Sequence, residues 1–303
     1  MKQLSSILAN LDSPSPSLWL EIAPPRGIAF ESLLSKLAAL HGHADAINLA
    51  DNALGKVKMS SLVFASIIKA RLKMAVVLNI SCRDRNRFAL KSDLLGAGAI
   101  GIEAVVALRG DKLPHDGSAG ARPVHDVDTV GLLKIIRDLN TGDTGEGKRL
   151  LKTLPALVIG VAGNPNRRQL GQEFELLRRK AEAGAQFVIT QPIFDRSTAM
   201  AFAEQAHRHG LRVIIGILPV KRESMAEYMK DNIKDLHEAV RHFERYAGRS
   251  EEEVRKISLD QSLTLMDALA ANVAGFNIMS GGGPSLAIEL ALEWGRHGNR
   301  RHS

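Results

Sequence analysis

A (β/α)8 barrel, of the TIM-barrel type, is the fold this chain predicts, and three observations carry it. Eight short apolar runs alternate with amphipathic stretches along nearly all of the 303 residues. Several runs are close to unbroken Val, Ile and Leu, as strands of a parallel sheet covered on both faces must be. Chemically capable residues gather just after the runs, and in a barrel all those strand ends open on one face. The doubly wound open sheet is the alternative, because alternation alone does not separate an open sheet from a closed one. Against it, no Gly-x-Gly-x-x-Gly follows the first run, where Pro24-Pro25 stands instead.

Taken in order, the predicted strands are Leu18–Ile22, Ala46–Ala50, Ala75–Ile80, Ala104–Leu108, Leu157–Val161, Phe187–Thr190, Arg212–Ile217 and Gly275–Met279. Helical spacing of apolar residues predicts helices between them, among them Phe30–Leu40, Ser60–Ala70, Thr129–Leu139, Glu173–Ala183 and Ser197–His209. Gly184 and Gly210 stand where a glycine ends a helix ahead of the next strand. The stretch from Asp231 to Asn272 predicts extra helices inserted before the last strand. Ser13–Ser17, Pro114–Arg122 and Thr141–Lys148 are the stretches with the least pattern. With no linker and no repeat of solenoid period, residues 1–303 are expected to form a single domain.

Composition narrows the function classes. The chain is 45% hydrophobic and 24% charged, as a globular protein with a sizeable core is. Its one cysteine, Cys82, allows no intrachain disulfide, which suits a reducing cytoplasmic setting. No apolar run is long enough to cross a bilayer, so no membrane span is expected. Forty Lys and Arg against 33 Asp and Glu leave a net charge of +7, which favours anionic ligands. Aromatic residues are only 4%, and no basic stripe interleaves with them, which argues against nucleic acid. The ten histidines and the lone cysteine show no metal-ligand spacing, so no metal site is expected.

The candidate site residues lie at the strand ends. Glu21 closes the first run, held on stiff backbone by the double proline that follows. It is either a working carboxylate or the salt-bridge partner of a cation such as Arg26. Arg109-Gly110-Asp111 follows the fourth run; it reads as a local ion pair at a turn, or as a close backbone approach to a flat ligand. Gln191 ends the sixth run, with an amide able to match a ring that presents both donors and acceptors, unless neighbouring backbone satisfies it. Lys180 lies on the helix before that run, either solvated or reaching a diphosphate. Ser280–Ser285 is glycine-rich and reads equally as an anion nest and as a plain turn. Cys82 reads as a packing residue despite its neighbour Arg83.

In order and spacing these motifs resemble the methylenetetrahydrofolate reductase family. The matching pieces are Glu21–Gly27, Asn79–Asp84, Val106–Asp111, Arg179–Ala185, Ile189–Asp195 and Gly216–Pro219, and Leu49–Asn52 is similar to the branch sometimes fused to a homocysteine methyltransferase. The resemblance implies a barrel that carries FAD, takes hydride from NADH or NADPH and converts 5,10-methylenetetrahydrofolate to 5-methyltetrahydrofolate, the methyl donor of methionine biosynthesis. It implies Glu21 as the acid that opens the folate ring, Asp111 beside flavin and pterin, and Gln191 on the pterin. Asn79, Arg109, Gly110, Asn164 and Lys180 would take part in holding the flavin. It also implies a homo-oligomer with a folate and a nicotinamide nucleotide as its small-molecule partners. Two positions depart from the family pattern: Asn79 replaces a common histidine, and Asn164 a common flavin-contacting tyrosine. These departures leave two alternatives. One is direct, flavin-free hydride transfer from NAD(P)H to the folate. The other is a non-catalytic pterin- or flavin-binding subunit served by an electron-transfer partner.

Overall fold

The computed structural model describes residues 6–113, 120–145, 147, 153–232, 235–236, 240–281 and 283–299. The strands are β1 Ser17–Ile22, β2 Ala46–Leu49, β3 Ala75–Ser81, β4 Ala104–Leu108, β5 Val158–Gly163, β6 Phe187–Pro192, β7 Arg212–Ile217 and β8 Gly275–Met279. Every neighbouring pair is parallel, and β8 closes on β1, giving a barrel in the order β1 to β8. The predicted fold class is therefore the observed one. The boundaries moved by small amounts: β5 begins one residue later and runs two further, and β6 extends to Pro192.

Helices cover the barrel: α1 Ser6–Leu11, α2 Glu31–Ala38, α3 Ser61–Leu72, α4 Arg87–Ala99, α5 Thr129–Asn140, α6 Leu170–Glu182, α7 Arg196–Arg208, α8 Glu223–Asn232, α9 Val240–Phe243, α10 Glu251–Leu269 and α11 Ser285–Asn299. Many start on a side-chain cap. Ser60, Asn86, Asp128, Asp195 and Ser250 each accept from a backbone N–H of the first turn, and Ser250 with Glu253 completes a capping box. Gly184 and Gly210 follow α6 and α7 at φ +112° and +72°, the left-handed exit that glycine takes without a Cβ penalty.

The inserted helices lie where the sequence placed them, but they start earlier. Helices α8 and α9 follow β7 from Glu223 onward and pack into a small core of their own, with Val220, Ala226, Met229, Leu236, Phe243, Tyr246 and Val254. Helix α10 packs against α7 and α11 and belongs to the outer ring. Of the weakly patterned stretches, residues 114–119, 146 and 148 lie outside the described residues, while Ser17 is the first residue of β1. Among the described residues no helix is long and apolar enough to cross a membrane.

Side chains inside the barrel change character along its axis. Trp19, Ala46, Val77, Ala104, Val106, Val158, Phe187, Ile189 and Ile214 form one apolar layer, and Ile7 and Leu11 of α1 pack on it from the N-terminal end. The Trp19 and Phe187 rings meet edge to face with centroids 5.4 Å apart. Phe187 fits because β5 carries Gly160 beside it: a Cβ there would come within 2.1 Å of the ring. Helix α1 is tied down at both ends. Ser6 N donates to Glu103 at 2.7 Å, and Arg212 donates twice to Asp12, at 2.6 and 2.9 Å. Helix α1 thus covers the apolar layer at this end of the barrel.

Candidate active site

A cleft of about 690 Å³ opens at the C-terminal ends of the strands. Its lining includes Glu21, Asn48, Asn79, Arg109, Gly110, Asp111, Asn164, Lys180 and Gln191. The candidates spread over five strands and one helix of the sequence thus converge on a single cavity, at the face where barrel enzymes place their chemistry. Among the described residues no three His, Cys, Asp or Glu side chains gather as a metal site.

Glu21 sits half-buried near the end of β1. Its partners are two amides and not Arg26. Asn277 Nδ2 donates to Glu21 Oε2 at 2.7 Å, and Asn48 Nδ2 donates to the same oxygen at 3.3 Å. Burial pushes the Glu21 pKa above the usual carboxylate value; the Asn277 hydrogen bond opposes this, and the Asp111 charge adds to it. A carboxyl group whose protonated form is favoured beside a cleft can serve as a proton donor. Neither Asn48 nor Asn277 stood out in the sequence. The available signal was a lone amide in each of two apolar strands, Ala46–Leu49 and Gly275–Met279, and strand pairing sets Asn48 directly beside Glu21.

The Arg109-Gly110-Asp111 turn is not a local ion pair. Asp111 Oδ2 accepts from Leu54 N at 2.6 Å, joining the loops after β2 and β4, and Arg109 makes no ion pair among the described residues. Gly110 has φ +90°, and a Cβ on it would meet Arg83 Cβ at 2.6 Å. The glycine therefore permits a close approach of Arg83 within the chain, while Gly110 also lines the cleft. Arg83, read in the sequence only as a neighbour of Cys82, organises this corner. It is 2% exposed, binds Asp84 through two nitrogens, and donates to the carbonyls of Asp111 and Asn52 at 3.2 and 3.1 Å. Its guanidinium holds the Asp84 pKa below the usual carboxylate range. Arg85 works alongside, bound to Asp51 and Asp93, while Asp51 accepts from Ser81 N at 2.9 Å. Cys82 itself is fully buried, and burial lifts its thiol pKa to about 11, as a packing residue requires.

Asn79 is 6% exposed, lies on the cleft wall and makes no side-chain hydrogen bond among the described residues. It offers a ligand both a donor and an acceptor. Gln191 is exposed into the cleft, so neighbouring backbone does not enclose it. A register shift between Ile189 and Pro192 sets three residues of β6 against two of β7, and such a bulge at a barrel rim re-aims a side chain.

Two expected flavin-holding residues are engaged elsewhere. Lys180 is 7% exposed and its Nζ donates to the Ala162 carbonyl at 2.6 Å, so the ammonium closes the end of β5 instead of reaching outward. Burial lowers its pKa, and the Glu173 charge partly restores it. Asn164 Nδ2 donates to Asp235 at 2.8 Å, and its Oδ1 accepts from Asn166 N at 3.1 Å, which ties the loop after β5 to the inserted segment. The glycine-rich turn after β8 presents carbonyls to a cation of the same chain. The carbonyls of Ser280 and Gly283 face the Lys221 ammonium; Gly282 lies outside the described residues.

The Asn79 amide and Arg109, which have no side-chain partner among the described residues, line this one cleft together with the cation Arg179. An amide and exposed cations of this kind suit a flavin nucleotide's ring and diphosphate.

The family model described as methylenetetrahydrofolate reductase matches residues 6–279. The 5,10-methylenetetrahydrofolate reductase of Salmonella typhimurium is 26% identical over 217 residues, 70% of this chain and 67% of that protein. The enzyme of the same name from Pectobacterium carotovorum is 27% identical over 206 residues, 66% of this chain and 63% of that one. The chain thus spans about two thirds of the length of the curated relatives it matches. In fold it is similar to an uncharacterised Clostridium thermocellum protein that binds two copies of 5-methyl-5,6,7,8-tetrahydrofolic acid. That match has a TM-score of 0.65 and 15% identity, covering 97% of this chain and 98% of the other. With the family model running from α1 to the end of β8, this chain belongs to the methylenetetrahydrofolate reductase family.

Proposed function

We propose that this protein reduces 5,10-methylenetetrahydrofolate to 5-methyltetrahydrofolate, with hydride drawn from NADH or NADPH. The observation that carries the reading is Glu21: a half-buried acid of raised pKa in the cleft that Asp111 and Gln191 also line. The substrate's methylene bridge joins two nitrogens, and reduction needs one of its C–N bonds to open first. An amine leaves more readily when protonated, so Glu21 gives its proton to the departing nitrogen and the carbon becomes an electrophilic iminium. Hydride then adds to that carbon and yields the N-methyl product. Asp111 places a carboxylate on the same cleft wall, where it favours the cationic iminium. Gln191 offers donor and acceptor to the pterin edge, and Asn79 offers the same to a second flat ring. FAD, when bound, supplies the relay that accepts hydride from the nicotinamide and passes it on.

One observation favours a second reading, direct transfer from NAD(P)H without flavin. The Asn164 amide already donates to Asp235 and accepts from Asn166, so less of its hydrogen-bonding capacity is open to a flavin. A visible spectrum of the purified protein, followed by additions of NAD(P)H and methylenetetrahydrofolate, separates the two. Flavin absorbance bleached by the nucleotide and restored by the folate supports the relay. A colourless protein that still makes 5-methyltetrahydrofolate supports direct transfer. A colourless protein that stays inactive with added FAD overturns both and points to the partner-dependent subunit.

A further inference from the structure

Every hydrogen-bond donor that reaches the Glu21 carboxyl arrives at one oxygen. Asn277 Nδ2 and Asn48 Nδ2 both donate to Oε2, at 2.7 and 3.3 Å, and among the described residues nothing donates to Oε1. The amides are also locked to each other, since Asn48 Nδ2 donates to Asn277 Oδ1 at 3.1 Å. Both residues are buried, at 1% and 0% exposure. Their orientation is costly to reverse: a turned Asn48 would set its carbonyl against Glu21 Oε2 and Asn277 Oδ1, acceptor against acceptor. The arrangement even leaves Asn48 Oδ1 buried without a partner, a cost of the kind that a purely structural amide would avoid.

We propose that Asn277 and Asn48 are positioning residues, an amide brace that makes Oε2 of Glu21 the fixed acceptor and Oε1 the oxygen that carries the proton and delivers it into the cleft. An oxygen already accepting two N–H groups has no room for a proton of its own on that side, so the acid is held in one tautomer and one orientation. This deepens the assignment of Glu21 as the proton donor and rests on it. Strand β8 brings no charged residue over Gly275–Met279. Strand β2 brings Asp51 at its end, paired with Arg85, and the loop after β4 brings Asp111, which opposes ionisation of Glu21. Against burial and Asp111, the Asn277 amide is the group that favours the ionised form.

The test reads Glu21 directly on the substrate-free protein, by infrared difference spectroscopy across a pH titration, with the carboxyl band assigned through Glu21→Gln. In the unmodified protein the protonated Glu21 carbonyl stretch should lie low, at the position of a twice-hydrogen-bonded carbonyl. In Asn277→Leu that band should move up, and the titration midpoint should rise by about one pH unit, because a donor to the carboxylate is lost. Asn48→Leu, which removes the longer contact, should move both less. A free-carbonyl band in the unmodified protein overturns the brace without any asparagine variant. An unmoved midpoint in a folded Asn277→Leu overturns it as well. If folate reduction is normal while the midpoint stays put, the brace fails and the function stands. If the midpoint moves in a protein that reduces no folate, the brace stands and the function fails.

Discussion

The two ends of the barrel interior are built by the same strands two residues apart, and they differ in everything but topology. On β1 the inward side chains are Trp19 and then Glu21, on β2 Ala46 and then Asn48, on β3 Val77 and then Asn79, while β8 adds Asn277. One pleat repeat turns an apolar layer sealed by α1 into a polar floor with an acid at its centre. The lower layer has its packing completed by Ile7 and Leu11. Among the described residues the upper one keeps an unpaired Asn79 amide, an orphan Asn48 carbonyl oxygen and a carboxyl whose second oxygen takes no donor. Unspent polar capacity in a buried place is expensive for a fold, and it marks where a ligand completes the bonding.

The sharpest way to break the contrast is to exchange one residue at each end. Glu21→Gln should lower turnover by about 10²- to 10⁴-fold, the usual contribution of a general acid, while the melting temperature holds or rises. Trp19→Ala should do the reverse. It should cost about 3–5 kcal/mol in a urea denaturation series, as loss of a buried aromatic does, while activity per folded molecule survives. If Trp19→Ala spares stability and abolishes turnover, the division into a structural and a chemical layer is wrong. Gly160→Ala is a gentler probe of the lower layer. Its new methyl would run into Phe187, so a loss of about 1–3 kcal/mol is expected, and a neutral result would mean the ring has room to move.

The smallest effect concerns pH. Because Glu21 has its pKa raised on folding, the native state holds its proton where the unfolded chain has released it. Stability therefore falls as pH rises from the ordinary value of 4.5 through the raised one. Glu21→Gln removes that slope, so the stability difference between the two proteins should widen over this interval and level off above it. Equal slopes in parallel denaturation curves would show that the acid is not held protonated. Over the same range, turnover should fall with rising pH as Glu21 loses its proton.

How far the sequence carried this follows the range of each interaction. Strands announce themselves as local apolar runs, and Glu21, Asp111 and Gln191 stand at run ends, so a linear reading could place them on one face. Asn48 and Asn277 are hidden inside runs and matter only through register, which joins residues 229 positions apart. Arg83 was overlooked because its partners Asn52, Asp84 and Asp111 come from three loops. Lys180 misled for the opposite reason. A cation on a helix is usually solvated, but here it turns inward to Ala162, a contact that helix spacing does not encode.

The most direct test is product formation by two proteins that differ at one atom group. Purified wild-type chain and Glu21→Gln would each be incubated anaerobically with methylenetetrahydrofolate, NADH or NADPH, and added FAD, and 5-methyltetrahydrofolate would be measured by mass spectrometry. The account predicts product from the wild type and a loss of at least about 10²-fold in the variant. Equal product from both would remove Glu21 from the chemistry, and no product from either would contradict the proposed reaction itself.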